Sequence, residues 1–400
     1  MKVTTAVPSV QLQTFKKLWS AALQHHLAVA LWRHPQEARQ HLIVDFSGET
    51  KVGKADLEET PAGFWVSPFL NEDGTQTRLV RADFHYHSEL DEWPEEEDLP
   101  ASAARRAFFR TLQEENHRHK APLPKAEAPT AEATAPGAFQ DHVRTAVEAI
   151  RAGAFRKVVL ARTKTVDLPD DFDVLDTFER LCRQYADAFV SLFYLPGEGV
   201  WMSATPEVLL RVDRDQHFHT MALAGTQPVA PDQSLDEVRW AQKEIEEQAL
   251  VSRYIISCFK RIRLREYEEE GPRTVRAGHL THLRTDYSVD MQATRFPQLG
   301  TVMLELLHPT SAVCGQPKAP ALHFIQTREG FDRQFFSGFL GPVHLEGESR
   351  LYVHLRCMQL QPGQATLYAG AGITADSRPD REWQETELKC DTLLRVLKGE

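Results

Sequence analysis

Two hydrophobic rhythms alternate along the second two thirds of the chain. In "AFQDHVRTAVEAIRAG" the apolar residues Val143, Val147 and Ile150 recur every three or four positions, the period of one helix face, and Gly153 supplies the stop. "RKVVLARTKTV" and "AFVSLFYL" are β-branched and aromatic runs that predict strands, with "DVLDTFERLCRQY" a helix between them. "VWMSATPEVLLRVD" and "HFHTMALAGT" predict two more strands. A long helix is expected from near Ser234 to past Phe259, with Ile245, Ala249, Ser252, Ile256 and Phe259 as its apolar stripe. "RTVRAGHLTHLRTDYSV", "FFSGFLGPVHL", "SRLYVHLRCMQL" and "ATLYAGAGI" are strand-rich, and a helix from about Arg381 closes the chain. Upstream, "HLIVDFSG", "GFWVSPFL" and "TRLVRADFHYH" read as strands separated by turns. Hairpin-like strands mixed with helices, without a short tandem repeat, indicate the α+β class.

The Pro/Ala-rich stretch "HKAPLPKAEAPTAEATAPGA", residues 119–138, reads as a connector. It divides a strand-rich N-terminal part, residues 1–118, from a C-terminal region, residues 139–400. A connector of this kind can cross the surface between two halves of one sheet system, so it need not separate independent domains.

Composition narrows the function. The 400 residues, 42% of them hydrophobic, suffice for a large core. A formal net charge of -11 argues against nucleic acid as a partner, because phosphate recognition needs a basic surface. It leaves room for an anionic small molecule, since one local cation or metal can dominate a pocket. Cys182, Cys258, Cys314, Cys357 and Cys390 are dispersed and odd in number, as in a protein with reduced thiols. The first residues lack an apolar run of signal-peptide length, and no stretch is long enough to cross a bilayer. The expectation is a soluble, cytoplasmic protein with no membrane partner.

Candidate chemistry begins with two acidic pairs, Glu244 and Glu247 in "KEIEEQ", and Glu382 and Glu385 in "EWQETELK". Spacing of three places both carboxylates of a pair on one helix face. Two such faces are either ordinary solvated surfaces, with Lys243, Glu246 and Glu387 as neighbours, or two halves of a site for Mg²⁺, which prefers oxygen ligands. In "RKVVLAR", alternation puts Lys157, Val159 and Ala161 on one side of a strand. Lys157 is there either a desolvated base or an ammonium snorkelling at a strand end. Glu207 follows Pro206 at the start of an apolar run, as a partly buried general acid or as a turn residue. Gly225, Gly370 and Gly372 permit close backbone approach to a ligand, or simply turns. Neither glycine segment matches a nucleotide-binding fingerprint. Arg356, mid-strand in "VHLRCM", requires an anionic partner, from the protein or from a ligand. The small-residue loop "HPTSAVCG" and His282 in "THL" are candidates for a pocket wall. His85 and His87 share one strand face, with no third ligand evident.

Taken in order, "KVVLAR", "SATPEVLL", "LAGT", "KEIEEQ", "HLTHL", "HPTSAVCG", "FDRQFFSGFLG", "LRC", "AGAGI" and "EWQETELK" resemble the chorismate-utilising enzymes: isochorismate, salicylate, anthranilate and aminodeoxychorismate synthases. Each motif alone is weak; the ordered series is specific. The resemblance implies one α+β body of packed antiparallel sheets flanked by helices, with the N-terminal part joined to the same body. It implies that Glu244, Glu247, Glu382 and Glu385 surround Mg²⁺, and that the metal holds the ring carboxylate of chorismate. Gly225 and Thr226, with Gly370 and Gly372, would line the carboxylate-binding region. Arg356 would grip the enolpyruvyl carboxylate, with Thr310, Phe336 and Lys389 nearby and His282 in the substrate pocket.

Within that family, the members that add water carry lysine at the position of Lys157, where anthranilate synthases have glutamine. Aminodeoxychorismate synthases have lysine just before the "GT", where this chain has Ala224. The resemblance therefore implies isochorismate synthase activity with no amidotransferase subunit. Neutral Lys157 would activate water for attack at C2, and Glu207 would protonate the departing C4 hydroxyl. Salicylate synthase, which goes on to eliminate pyruvate, is the near alternative, and a catalytically silent ligand-binding relative the distant one. The product's destination, menaquinone or siderophore, stays open. Two departures from the family pattern stand out: Gln248 where relatives often have histidine, and "AGTQPV" without the usual arginine beyond the "GT".

Overall fold

The computed structural model describes residues 9–399 apart from 72, 91, 94–101, 115–119, 126–129, 231–232 and 278–279. In chain order, α1 (Ser9–Gln24) precedes β1 (Val29–Arg33), β2 (Gln40–Val44), β3 (Lys51–Gly53), β4 (Gly63–Ser67), β5 (Thr77–Arg81), β6 (Phe84–His87) and α2 (Ala103–Glu114). The next elements are α3 (Pro136–Arg151), β7 (Lys157–Asp167), α4 (Val174–Gln184), β8 (Phe189–Leu195), β9 (Gly199–Thr205), β10 (Val208–Val212), β11 (His217–Pro228) and α5 (Gln242–Arg261). Then come β12 (Glu268–Ala277), β13 (Leu280–Asp290), α6 (Leu299–Leu307), β14 (Gly315–Gln316), α7 (Lys318–Arg328) and β15 (Phe339–Val343). The chain finishes with β16 (Ser349–Val353), β17 (Cys357–Gln361), β18 (Gln364–Ile373) and α8 (Pro379–Lys398).

These strands form two sheets of nine. One has the order β14-β7-β18-β17-β9-β8-β1-β2-β6, the other β12-β13-β11-β10-β16-β15-β4-β5-β3. The pairings are antiparallel in the first sheet and in the second. The α+β expectation holds, and the N-terminal strands extend both sheets. The predicted connector lies partly outside the described residues.

Packing explains the sequence pattern. An inner layer that includes Trp32, Phe64, Phe193, Trp201 and Tyr368 fills the space between the sheets. The outer face of the first sheet meets a second cluster containing Trp19, Phe178, Leu192 and Leu393, from α1, α4, β8 and α8. Strand β8 is buried on both faces, which is why "FVSLFYL" is apolar apart from Ser191, whose hydroxyl lies 2.8 Å from that of Ser203. The second sheet packs its outer face on α5 and α6 through residues such as Ile255, Phe259 and Met303.

Four segments read as strand or strand-rich each hold two strands. "VWMSATPEVLLRVD" is β9 and β10, which belong to different sheets and meet at Pro206–Glu207. "SRLYVHLRCMQL" is β16 and β17, again in different sheets, and "TRLVRADFHYH" is β5 and β6, likewise divided. "RTVRAGHLTHLRTDYSV" is the β12–β13 hairpin. The apolar pattern runs through the three crossings because both sheets feed side chains into one inner layer. Arg356 is therefore not mid-strand: it lies between β16 and β17 with φ 47°, a left-handed conformation that costs a non-glycine residue about 1–3 kcal/mol.

The long helix also differs from expectation. A 3₁₀ turn at Leu235–Glu237 occupies its predicted start, and α5 begins at Gln242. Its buried face is Gln248, Val251, Ile255, Cys258 and Phe259, whereas Ile245 is 47% exposed. Gln248 goes inward because its Nε2 donates to the Ala222 carbonyl and to Thr285 Oγ1, both at 3.1 Å.

Buried imidazoles make the fold acid-sensitive. His41, on β2, stacks against His85 on β6, with Nδ1 3.1 Å from His85 Nε2. Burial, reinforced by His85 and His87, pushes His41 from the ordinary 6.5 down to about 2. Burial likewise takes His354 down to about 3. Below its ordinary value an unfolded histidine binds a proton that the folded one refuses, so each removes about 1.4 kcal/mol of stability per pH unit. This loss sets in as the pH falls through 6.5 and continues toward the folded values. Urea unfolding at about pH 7.5 and about pH 5.5 should show a loss of about 3 kcal/mol from these two residues; equal stabilities would contradict their neutral burial.

Candidate active site

The two crossings beside β9 and β17 run next to each other. Ala204 N–H donates to the Arg356 carbonyl and Val353 N–H donates to the Glu207 carbonyl, both at 3.0 Å. Thr205 Oγ1 donates to the Val353 carbonyl at 2.7 Å. Glu207 and Arg356 are thus fixed side by side on the seam where strands change sheets, and both line one cleft.

Thirteen of the fifteen residues singled out in the sequence border this cleft. Lys157 comes from β7 and Gly370 and Gly372 from the neighbouring β18. Gly225 and Thr226 come from β11 where its pairing with β13 slips between Ala224 and Gln227, a bulge that Gly225 meets with φ 66°. His282 comes from β13, Phe336 from the turn before β15, Glu244 and Glu247 from α5, and Glu385 and Lys389 from α8. Thr310 is not in the wall; the loop presents Ala312 and Val313 there. Glu382 is also absent from the wall, 2% exposed one helical turn before Glu385. Lys243, Tyr368 and Leu223 line the cleft without having been singled out. A lysine preceding two glutamates on an amphipathic helix carries no local mark that separates it from a surface lysine. Glu387 belongs elsewhere, paired with Arg162 and Lys164.

The electrostatics follow from burial. Glu207, 8% exposed, is pushed up to about 7 by burial, against the opposing pull of Lys157, Arg356 and Lys389. Burial would also raise Glu247, but the ammonium of Lys157, 3.0 Å away, holds it below its usual range. Burial lowers Arg356, and no carboxylate of the described residues forms an ion pair with it. His282 places Nδ1 3.0 Å from the Gly225 carbonyl and 3.2 Å from Thr226 Oγ1. Burial takes it down to about 4, and its Nε2 is buried without a protein partner.

Three of the four glutamates on α5 and α8 are each paired with a lysine. Lys157 pairs with Glu247 at 3.0 Å, Lys243 with Glu382 at 3.7 Å, and Lys389 with Glu385 at 2.7 Å. Lys389 also donates to the Gly370 carbonyl at 2.8 Å. Burial lowers Lys243, yet Glu382, Glu385, Glu247 and Glu244 outweigh it and raise the ammonium above its usual value. Burial and the neighbouring Glu385 raise Glu382, whose Oε2 is buried without a partner. Among the described residues no three His, Cys, Asp or Glu side chains are close enough together to grip a metal ion without rearrangement.

Buried cations, carboxylates and glycine-lined backbone meet around one cleft, the arrangement of a candidate small-molecule site. The family model described as chorismate binding enzyme matches residues 8–398, and the chain belongs to that family. A salicylate biosynthesis isochorismate synthase from Pseudomonas aeruginosa is 34% identical over 275 residues, 65% of this chain and 55% of that protein. The isochorismate synthase EntC of Escherichia coli is 32% identical over 265 residues, 64% of this chain and 66% of EntC. The match thus spans about half to two thirds of the length of these curated relatives. The structure of MenF, the menaquinone-specific isochorismate synthase of Escherichia coli, has a TM-score of 0.74 at 22% identity, covering 95% of this chain and 91% of MenF. Anthranilate synthase component I from Streptococcus pneumoniae shares the fold with a TM-score of 0.67 at 18% identity, covering 92% of each chain.

Gly372 tests how tightly the site is built. A Cβ there would stand 2.9 Å from Lys157 Cε and 3.2 Å from Glu247 Oε1. Gly372→Ala should leave the melting temperature nearly unchanged while displacing Lys157 and so changing its rate of acetylation by acetic anhydride. An unchanged rate would show that the lysine needs no such clearance.

Proposed function

We propose that the protein converts chorismate to isochorismate. The observation that carries this reading is one cleft shared by the buried Glu207, the buried Lys157 and an Arg356 that forms no ion pair among the described residues, with burial raising Glu207 to about 7. Lys157, once it has released the proton it carries in the ion pair with Glu247, takes a proton from water as the water oxygen bonds to C2 of the ring. The ring double bond shifts, the C4–oxygen bond breaks, and Glu207 delivers its proton so that the C4 hydroxyl leaves as water. An acid and a base of this kind contribute about 10²–10⁴-fold each. Arg356 takes the enolpyruvyl carboxylate, and Gly225, Thr226, Gly370 and Gly372 border the ring carboxylate. Water as nucleophile requires no ammonia-supplying subunit, which separates this reading from anthranilate formation.

Mg²⁺ suits the chemistry of these donors. Glu244, Glu247, Glu382 and Glu385 are hard oxygen donors whose charges all act on the Lys243 ammonium, and they would have to draw together to hold the ion. When bound, the ion would neutralise charge on the substrate carboxylate and hold it in register. The lysines that now share these carboxylates would yield to it.

Incubation with chorismate and Mg²⁺ followed by product separation should give isochorismate without pyruvate. Pyruvate release would transfer the protein to salicylate formation, and no consumption of chorismate would refute the reading. Lys157→Ala and Glu207→Gln should each lower kcat by about 10²-fold or more, and parental turnover in either would remove that group from the mechanism. Because the acid form of Glu207 is required, the pH profile of kcat/KM should change slope as the pH passes about 7. A profile level from pH 6 to pH 9 would contradict its assignment as the acid.

A further inference from the structure

Strand β7 carries Lys157 next to the edge of its sheet, where β14 covers only two of its residues, Gly315 opposite Val158 and Gln316 opposite Lys157. Beyond β14 the outward backbone groups of β7 need other partners, since a buried amide or carbonyl is costly to leave unpaired. Val159 N–H donates to the Cys314 carbonyl at 2.8 Å. The Val159 carbonyl then accepts from Arg333 Nη2 at 2.8 Å, and Ala161 N–H donates to Glu329 Oε1 at 2.7 Å. Thr163 N–H donates onward to Thr134 Oγ1 at 3.2 Å.

Glu329 and Arg333 are themselves a buried ion pair, each side chain 2% exposed. Arg333 Nε donates to Glu329 Oε2 at 2.7 Å, and Nη2 donates to Oε1. Nη1 donates to the Val313 carbonyl at 2.9 Å, and the guanidinium lies over the Phe69 ring at 4.2 Å. Neither residue lines the cleft, yet Val159 and Val313, whose backbones the pair holds, both do.

We propose that the Glu329–Arg333 pair is the positioning device for Lys157: two side chains stand in for the strand that β14 does not continue, and so hold β7 at the height at which its lysine reaches the substrate. This rests on the assignment of Lys157 as the base. Arginine suits the task because its rigid fork reaches a carboxylate and two carbonyls at once, whereas a lysine offers a single point. Gly225 stands on β11, Arg356 between β16 and β17 and Lys389 on α8, while Gly370 and Gly372 stand on β18, whose own ladder to β7 lies on the opposite edge from the ion pair. Loosening the outer edge of β7 therefore acts mainly on the chemical step.

The test uses the full chain with Arg333→Lys or Glu329→Gln, each at a temperature where circular dichroism shows it fully folded. If Arg333→Lys does not fold, Glu329→Gln, which retains an acceptor for Ala161, takes its place. Expected is a fall in kcat of about 10–100-fold with KM within about threefold. The rate of Lys157 acetylation by acetic anhydride, read by peptide mass spectrometry relative to Lys389, should shift at least about threefold in parallel. A folded variant with parental kcat and parental Lys157 labelling, or one in which KM alone rises, would overturn the proposal. Because labelling needs no turnover, a parent enzyme that leaves chorismate intact would sink the assignment of the reaction and leave the positioning measurable.

Discussion

The active-site seam depends on one constraint: two neighbouring strands leave one sheet and join the other at the same level. The backbone bonds between Ala204 and Arg356 and between Val353 and Glu207 lock the crossings together. A crossing strand must place a few residues outside both ladders, and those residues are free to point at a ligand. Here they are a carboxyl and a guanidinium, groups that a continuous ladder inside an apolar layer would not accommodate without partners. The left-handed backbone of Arg356 is part of the same arrangement, a local strain held in place by well-paired strands on either side.

Around this seam, the remaining walls are set by elements that need not move with it. β18 provides glycines so that Lys157 can pass, and the β11 bulge turns Gly225 and Thr226 inward. α5 and α8 close the remaining side with carboxylates neutralised by lysines. Buried charges are tolerable only when paired, which accounts for the interleaving of acids and ammonium groups. Arg356, without such a partner among the described residues, is the exception, and the proposed reaction would give it the substrate's anion as that partner.

Local periodicity revealed much of this and concealed the rest for definite reasons. Alternation in "RKVVLAR" places Lys157 with Val159 and Ala161 on the inward side, as found, because a strand's two faces follow directly from sequence. Spacing of three carried Glu244 with Glu247 to the cleft, and family resemblance directed attention to Glu207 and Arg356. The crossings were hidden because both sheets demand the same apolar pattern. Ile245 was misplaced because a hydrogen-bonded Gln248 takes a buried position that hydrophobicity assigns to its neighbours. Thr310 was misplaced because nothing in a loop of small residues tells which of them turns outward. α6, "LGTVMLELL", is nearly apolar throughout and shows neither rhythm clearly.

The composite cover along β7 has a consequence for the molecule among its own kind. An open strand border is a template on which another chain can add, the usual seed of fibrils and misassembled oligomers. Occupying that border with an ion pair and a threonine, instead of a full-length strand, leaves no repeating ladder for a foreign backbone to copy. The same atoms that steady the lysine thereby keep this flank of the sheet from recruiting neighbours.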